Sequence, residues 1–208
     1  MQLKHFGNYI FKRIWNPNTY NYQSNIKKAF KNTEALGLKP CSSFEESSVV
    51  YDDGTRQVII NEIITYFYNE KKYNVGDIAL KCFWVSQELQ AFLKNRFNIV
   101  SHITTGNVYG AKLRINYESL TDLKKRLTHS IQTPIKSHTW LTLENHTIID
   151  LTIPANMYLE FNDPNFLYKV GWVTIPFDKN SFVYEPLIMG YEYFEKIKVK
   201  PMAYLIQS

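Results

Sequence analysis

The chain has 208 residues, of which 45% are hydrophobic and 21% are charged, and it contains eight Gly and eight Pro. This composition can bury a core, so it excludes disordered, collagen-like and low-complexity proteins and favours a single domain over residues 1–208. The opening residues lack the apolar core of a signal peptide, and no segment approaches the roughly 18 consecutive apolar residues that span a bilayer. We therefore expect a cytoplasmic protein that does not contact a membrane.

The net charge of +5 is concentrated near the N-terminus. Residues 1–40 contain seven Lys or Arg and one acidic residue, Glu34, so we interpret residues 1–55 as a basic N-terminal helical extension. Such an excess is typical of surfaces that contact nucleic acid or another anionic partner, and equally of a solvated helix face. Because these basic residues are scattered and lack interleaved aromatic stacking motifs, nucleic-acid binding is not favoured.

The first half of the chain predicts helices. Ser24 can cap a helix over residues 24–38, and Gly37 can terminate it. Residues 40–56 are a polar connection with a turn predicted at Asp53-Gly54. A helical period over residues 58–69 then predicts a second helix, which Asn74-Val75-Gly76-Asp77 terminates.

Residues 79–97 form the most regular segment of the sequence. Five residues fall on one face of a helix, at helical spacing: Cys82, Val85, Ser86, Leu89 and Leu93. A helix with one buried face is therefore predicted here, with Cys82 near its start.

The second half predicts strands. Residues 99–105 and 111–117 are strand-like. A helix is predicted at about Leu120 to Thr128, with Ser119 and Asp122 as caps. Residues 135–153 predict a hairpin with its turn at 144–146. Short apolar runs punctuated by prolines follow residue 154. Because helices precede strands and there is no βαβ alternation, the predicted fold class is α+β.

Several chemistries lack their motifs. The chain has no Gly-rich phosphate loop, dinucleotide fingerprint, nucleophile elbow or His-Glu-x-x-His pair, so we expect no cofactor. His138 and His146 flank the hairpin but find no further closely spaced ligands, so no metal is expected. Two cysteines cannot build a disulfide framework, and Cys41 lies in polar loop sequence without an evident role. His102 and His129 are expected at the surface or at strand edges.

The remaining candidate chemistry is a cysteine at the head of a helix with a histidine and an aspartate on consecutive strands. Helix amide groups and a nearby imidazolium lower the pKa of a thiol, and a carboxylate holds the imidazole in one tautomer. Adjacent strands can place His138 and Asp150 side by side. Cys82, His138 and Asp150 in this order therefore predict an acyl-transfer triad.

These residues resemble the transglutaminase-like superfamily of papain-fold cysteine enzymes. The resemblance rests on Cys82 with Ser86 and Leu93 behind it, and on HTWLTLENHTIIDLT, which is similar to the family's His-x-Trp…Asp-x-Thr block. It covers about residues 76–153 and implies a papain/transglutaminase-like fold with a catalytic core there. The chain departs from the family where Leu80 replaces the usual glycine two residues before the nucleophile, and where Phe97-Asn98 replaces a glycine at the helix end.

Each candidate residue has an alternative interpretation. Cys82 on an apolar helix face could be a core residue, since free cysteines are often buried, whereas a buried Asp150 between Ile149 and Leu151 requires a polar partner. Trp140 faces the same side of its strand as His138 and could contact substrate or fill the core.

We expect a cysteine peptidase, amidase or transglutaminase-like enzyme that acts on a protein or peptide. The sequence leaves two alternatives open. One is a non-catalytic binding protein on the same fold, and the other is a thioester-dependent acyltransferase.

Overall fold

The computed structural model describes residues 20–40, 44–110, 118–128, 135–174 and 182–198. Its five strands form one sheet, in the order β4-β3-β2-β1-β5, and every neighbouring pair is antiparallel. The strands are β1 (Ser101–Tyr109), β2 (His138–Leu143), β3 (Ile148–Asp150), β4 (Gly171–Val173) and β5 (Val183–Met189). The predicted α+β class, with N-terminal helices packed on an antiparallel sheet, is confirmed.

The helices of the described ranges cover both faces of this sheet. They are α1 (Tyr22–Ala35), α2 (Asp53–Ile64), α3 (Val75–Ile78), α4 (Cys82–Phe97), α5 (Leu120–Thr128), α6 (Thr152–Phe161) and α7 (Glu192–Lys196). A π-helical segment over Thr65–Glu70 continues α2, and a 3₁₀ turn over Pro164–Phe166 follows α6. Among the residues described, no helix combines the length and apolar character needed to cross a bilayer.

Side chains of β2 and β3 alternate between two hydrophobic cores. Leu141 and Ile149 pack against α2, α3 and α4, whereas Trp140 and Ile148 pack against α1. Alternation is expected because successive side chains of a strand point to opposite faces. Helix α1 is tied to β5 by the Asn32 side chain, whose Nδ2 donates to the Leu187 carbonyl oxygen at 2.9 Å. The helix of the predicted N-terminal extension thus packs directly on the sheet.

Helix α4 follows its sequence pattern closely. Val85, Leu89 and Leu93 are buried in the core against the sheet, as their spacing predicts. The helix ends at Asn98, whose φ of 54° places it in the left-handed region that terminates many helices.

The predicted boundaries near the N-terminus are wrong at three points. Helix α1 is capped by Asn21, which accepts from the Ser24 N–H at 2.9 Å, so Ser24 lies inside the helix. Asp53-Gly54 is the first turn of α2, because the Asp52 side chain caps that helix. Residues 74–77 begin α3 through a capping box instead of only ending the previous helix. Asn, Asp and Ser favour turns and helix caps for the same hydrogen-bonding reason, which explains these errors.

The second half confirms two predicted elements and adds one. Helix α5 has the predicted bounds and the Ser119–Asp122 cap, and the β2–β3 hairpin turns at residues 144–146. Helix α6 was not predicted, because Pro154 suggested an irregular segment. Pro154 lies in the first helical turn, where a missing N–H loses no intrahelical bond. Cys41, His129 and the strand predicted at 111–117 lie outside the described residues.

Candidate active site

Cys82 is the first residue of α4. Its side chain is half-buried, and the helix passes the first residues of β2 at this end. One turn later the Ser86 hydroxyl donates to the Thr139 carbonyl oxygen at 3.3 Å, which ties the helix to β2. The dipole of a helix acts mainly within its first turn, so the sulfur lies where helix amides favour a thiolate.

His138 and Asp150 lie close together, as predicted. The His138 Nε2 atom is 2.7 Å from Asp150 Oδ2, and the imidazole keeps a small exposed fraction while the carboxylate is buried. The register that pairs Leu141 with Ile149 places Asp150 opposite Trp140, two residues from His138. Both side chains therefore project from the same face of adjacent antiparallel strands.

Asp150 accepts hydrogen bonds from several donors besides His138. Its Oδ1 accepts from the Thr152 N–H at 2.8 Å, the Thr152 hydroxyl at 3.0 Å and the Ile153 N–H at 3.2 Å. Its Oδ2 also accepts from the Tyr184 hydroxyl at 3.1 Å. Burial raises the pKa of Asp150, but the positive charge and hydrogen bond of His138 outweigh it, so the pKa is lowered and the carboxylate stays ionised.

Cys82 and His138 each shift the pKa of the other. Burial raises the pKa of the Cys82 thiol, but the hydrogen bond and charge of His138, with a hydrogen bond from the Thr139 backbone, lower it overall. Burial lowers the pKa of His138, but the charge and hydrogen bond of Asp150, and then Cys82, raise it overall. The lowered pKa of the thiol and the raised pKa of the imidazole together favour a thiolate–imidazolium pair.

The ring orientation assigns a role to each nitrogen of His138. Nε2 is bonded to Asp150, so Nδ1 is the nitrogen left to exchange a proton with Cys82. The serine-protease triad uses the opposite assignment, with Nδ1 toward the aspartate, and the chemistry is equivalent because roles depend on geometry. The arrangement can therefore generate a nucleophile and hold the proton beside it.

Trp140 lies behind the triad. It is fully buried, its ring stacks on His138 with centroids 6.1 Å apart, and its indole N–H donates to the Tyr22 hydroxyl at 2.9 Å. Tyr22 in turn is 2.8 Å from the Thr142 hydroxyl. The predicted substrate contact of Trp140 stays a prediction, whereas its contacts show that it supports the His138 ring from the α1 side.

The two positions where glycines are missing adopt the backbone conformation that glycine favours. Leu80 has φ of 62° and Asn98 has φ of 54°. A left-handed conformation costs a non-glycine residue about 1–2 kcal/mol, less for Asn, whose side chain can bond locally. The turn before Cys82 is thus strained at Leu80, and the Leu80 N–H donates to Asn156 Oδ1 at 2.9 Å.

The other described histidines lie away from the triad. His102 is 2% exposed on β1, which contradicts the surface position expected for it, and its ring packs on Phe44. The ring of His146, in the turn between β2 and β3, stacks on the same Phe44 with ring centroids 5.1 Å apart. Within the ranges that the structure describes, no three His, Cys, Asp or Glu side chains converge to hold a metal ion.

Comparisons of this chain with protein-family models, curated proteins and solved structures find no match.

Sequence reasoning missed three contributors to the site: Tyr184, Thr139 and Asn156. Tyr184 comes from β5, distant in sequence, and carries no local signal. Thr139 acts through its backbone, which a sequence pattern does not reveal. Asn156 lies in α6, the helix that was not predicted. Thr152 belongs to the motif that suggested the family, and the structure places its hydroxyl 3.4 Å from His138 Nε2 as well as on Asp150.

Proposed function

We propose that this protein is a cysteine-dependent acyl-transfer enzyme of transglutaminase-like fold, with Cys82 as nucleophile, His138 as acid and base, and Asp150 as the carboxylate that orients His138. One observation carries the proposal. Cys82 at the start of α4 interacts with His138, whose Nε2 atom is 2.7 Å from a buried carboxylate. Burying a carboxylate costs free energy unless donors surround it, and the five donors to Asp150 are more than packing requires. Such a carboxylate is suited to hold a catalytic histidine in one tautomer.

The first half of the reaction forms an acyl-enzyme. The Cys82 thiolate attacks the carbonyl carbon of an amide, a C–S bond forms, and the carbonyl electron pair moves to oxygen. The Cys82 N–H, at a helix start where amides lack intrahelical partners, is one donor to that oxyanion. The His138 imidazolium then gives its proton to the leaving amine as the C–N bond breaks, which leaves a thioester.

The second half releases the acyl group. His138, now neutral, takes a proton from water or from an amine, which attacks the thioester carbonyl, and the thiolate leaves. Water gives a peptidase or amidase, and an amine gives a transglutaminase. Both outcomes use the same three residues, so the acceptor is selected by the space around the thioester.

The decisive experiment measures Cys82 directly. The Cys41→Ser background leaves Cys82 as the thiol under test, and its alkylation is measured by intact mass. We expect iodoacetamide to alkylate Cys82 at pH 6–7 with a rate that depends on His138. His138→Ala removes the two largest interactions that lower the thiol pKa, and leaves burial, the largest effect that raises it, with the Asp150 charge and the Thr139 backbone hydrogen bond. The variant should therefore react slowly below pH 9. Equal rates in the two proteins would contradict the nucleophile assignment.

Labelling reagents separate the reaction classes. A peptidase or transglutaminase should be labelled at Cys82 by a peptide-like electrophile, whereas an acyltransferase should be acylated by an activated thioester. A binding protein on the same fold should be labelled by neither reagent in a His138-dependent manner.

A further inference from the structure

The turn that precedes Cys82 connects two helices through a strained residue. Helix α3 ends at Ile78, α4 begins at Cys82, and Leu80 between them has φ of 62°. Leucine disfavours this region because its Cβ crowds the following carbonyl oxygen. Such a conformation persists only when surrounding contacts hold it.

Hydrogen bonds hold this turn from within and from outside: the Lys81 N–H donates to the Ile78 carbonyl oxygen at 3.3 Å, and the Asn156 side chain accepts from Leu80. The Leu80 N–H donates to Asn156 Oδ1 at 2.9 Å. The Leu80 side chain is 64% exposed, so packing of that side chain contributes little to holding the turn. The Lys81 side chain, at the N-cap of α4, makes no capping hydrogen bond and pairs with Asp77 Oδ1 at 3.7 Å.

Helix α6 carries this contact and a contact to the triad. Its first N–H groups, from Thr152 and Ile153, donate to Asp150 Oδ1. Asn156 follows one helical turn later, three and four residues beyond them, on the same side of the helix. One rigid helix therefore contacts both the carboxylate behind His138 and the turn in front of Cys82.

We propose that Asn156 is a positioning residue that holds the strained turn at Leu80 and thereby sets the Cys82 thiol against His138. This inference rests on the proposed function, because it concerns activation of the same thiol. Asn156 acts through the backbone of Leu80, and Cys82 lies two residues further along the chain. A shift of this turn moves the sulfur relative to the imidazole and weakens the interaction with His138 that lowers the thiol pKa.

The test measures the rate of Cys82 alkylation by iodoacetamide between pH 5 and 9, in the Cys41→Ser background. Asn156→Ala removes the acceptor, and Asn156→Asp retains an oxygen in its place. Leu80→Gly combined with Asn156→Ala removes the acceptor and the strain together. Asn61→Ala is the matched control, since Asn61 is also a helical asparagine that accepts a side-chain hydrogen bond, from Gln57 at 2.9 Å.

We expect Asn156→Ala to raise the pH at which Cys82 becomes reactive and to slow alkylation at pH 6 about tenfold, the change that one pKa unit produces. Asn61→Ala should stay within about twofold of the parent, a change well below one pKa unit. Asn156→Asp should react faster than Asn156→Ala but more slowly than the parent, because its oxygen still accepts from the Leu80 N–H while its negative charge raises the thiol pKa. Adding Leu80→Gly to Asn156→Ala should recover most of the rate, because glycine adopts the turn without help. Such a recovery shows coupling between the two positions.

Three results would overturn the inference: an unchanged pH profile in Asn156→Ala, an Asn156→Asp variant as slow as Asn156→Ala, or no recovery with Leu80→Gly. Should Asn156→Ala fail to fold, Asn156→Ser, whose shorter side chain withdraws the acceptor, replaces it with the same expectations. A parent protein whose Cys82 reacts as an ordinary thiol of pKa 9.0 overturns this inference and the proposed function together. A reactive parent with an unchanged Asn156→Ala overturns this inference alone.

Discussion

Asp150→Asn is the substitution that best separates the proposed catalytic role of the carboxylate from its structural role. Asn keeps the shape of Asp and can still present Oδ1 to the three donors from Thr152 and Ile153. Its amide nitrogen then replaces Oδ2, which now faces His138 Nε2 at 2.7 Å and the Tyr184 hydroxyl at 3.1 Å. Because the amide donates, His138 must accept at Nε2 and carry its proton on Nδ1, the nitrogen that is not bonded to Asp150.

The magnitude of this effect differs for stability and for reactivity. Charge-assisted hydrogen bonds from His138 and Tyr184 are lost, so we expect the free energy of unfolding to fall by about 1–3 kcal/mol. Asp150→Ala leaves all the donors without an acceptor beside a buried imidazole, and should cost about 3–5 kcal/mol. Turnover should fall about 10⁴-fold in Asp150→Asn, the loss that the same change produces in a serine-protease triad.

The assay combines urea unfolding with the pH dependence of Cys82 alkylation in the Cys41→Ser background. Asp52→Asn is the control, since Asp52 also accepts backbone N–H at a helix start but is exposed and caps α2. Asn and Asp cap helices about equally, so this control should be nearly silent in both measurements. If Asp150→Asn alkylates with the parent pH profile, the carboxylate does not govern His138 and the triad reasoning fails.

Four further outcomes are expected. Cys82→Ala should abolish covalent labelling at residue 82 and change the melting temperature little, because the side chain is half-buried at a helix end; a loss of about 1–3 kcal/mol would instead indicate a core residue. Trp140→Phe should slow alkylation and destabilise the fold, because it removes the indole N–H that bonds Tyr22 and trims the ring stacked on His138; an unchanged rate would limit Trp140 to the core. Burial lowers the pKa values of His102 and His146 below 6.5, so the unfolded chain binds protons at these residues more readily than the folded protein. The free energy of unfolding should therefore decline as the pH falls below 6.5, and it should decline less in His102→Gln. Gly106→Ala should unfold the protein at lower urea than Gly110→Ala, since a Cβ at Gly106 would lie 1.9 Å from the Glu185 carbonyl oxygen whereas at Gly110 it meets the movable Phe182 ring.

The sequence by itself determined the features that repeat locally along the chain. The apolar spacing of Val85, Leu89 and Leu93 predicts the buried face of α4 and places Cys82 at its head. Alternation in residues 138–150 predicts a hairpin, and a short turn brings its strands together. His138 and Asp150 are therefore neighbours in any hairpin with this register, and a charged residue within an apolar strand indicates that it has a partner.

Tertiary structure decided what depends on contacts between distant segments. Tyr184 on β5 reaches Asp150 only because β5 pairs with β1 at the far side of the sheet. His102 is buried because Phe44 covers it, although nothing in its own segment predicts this. Leu80 adopts a conformation that its own side chain disfavours, and the acceptor that holds it comes from Asn156, 76 residues later. Local propensity is weak enough to be overridden by long-range contacts, and for that reason the turn before Cys82 could not be predicted from its sequence.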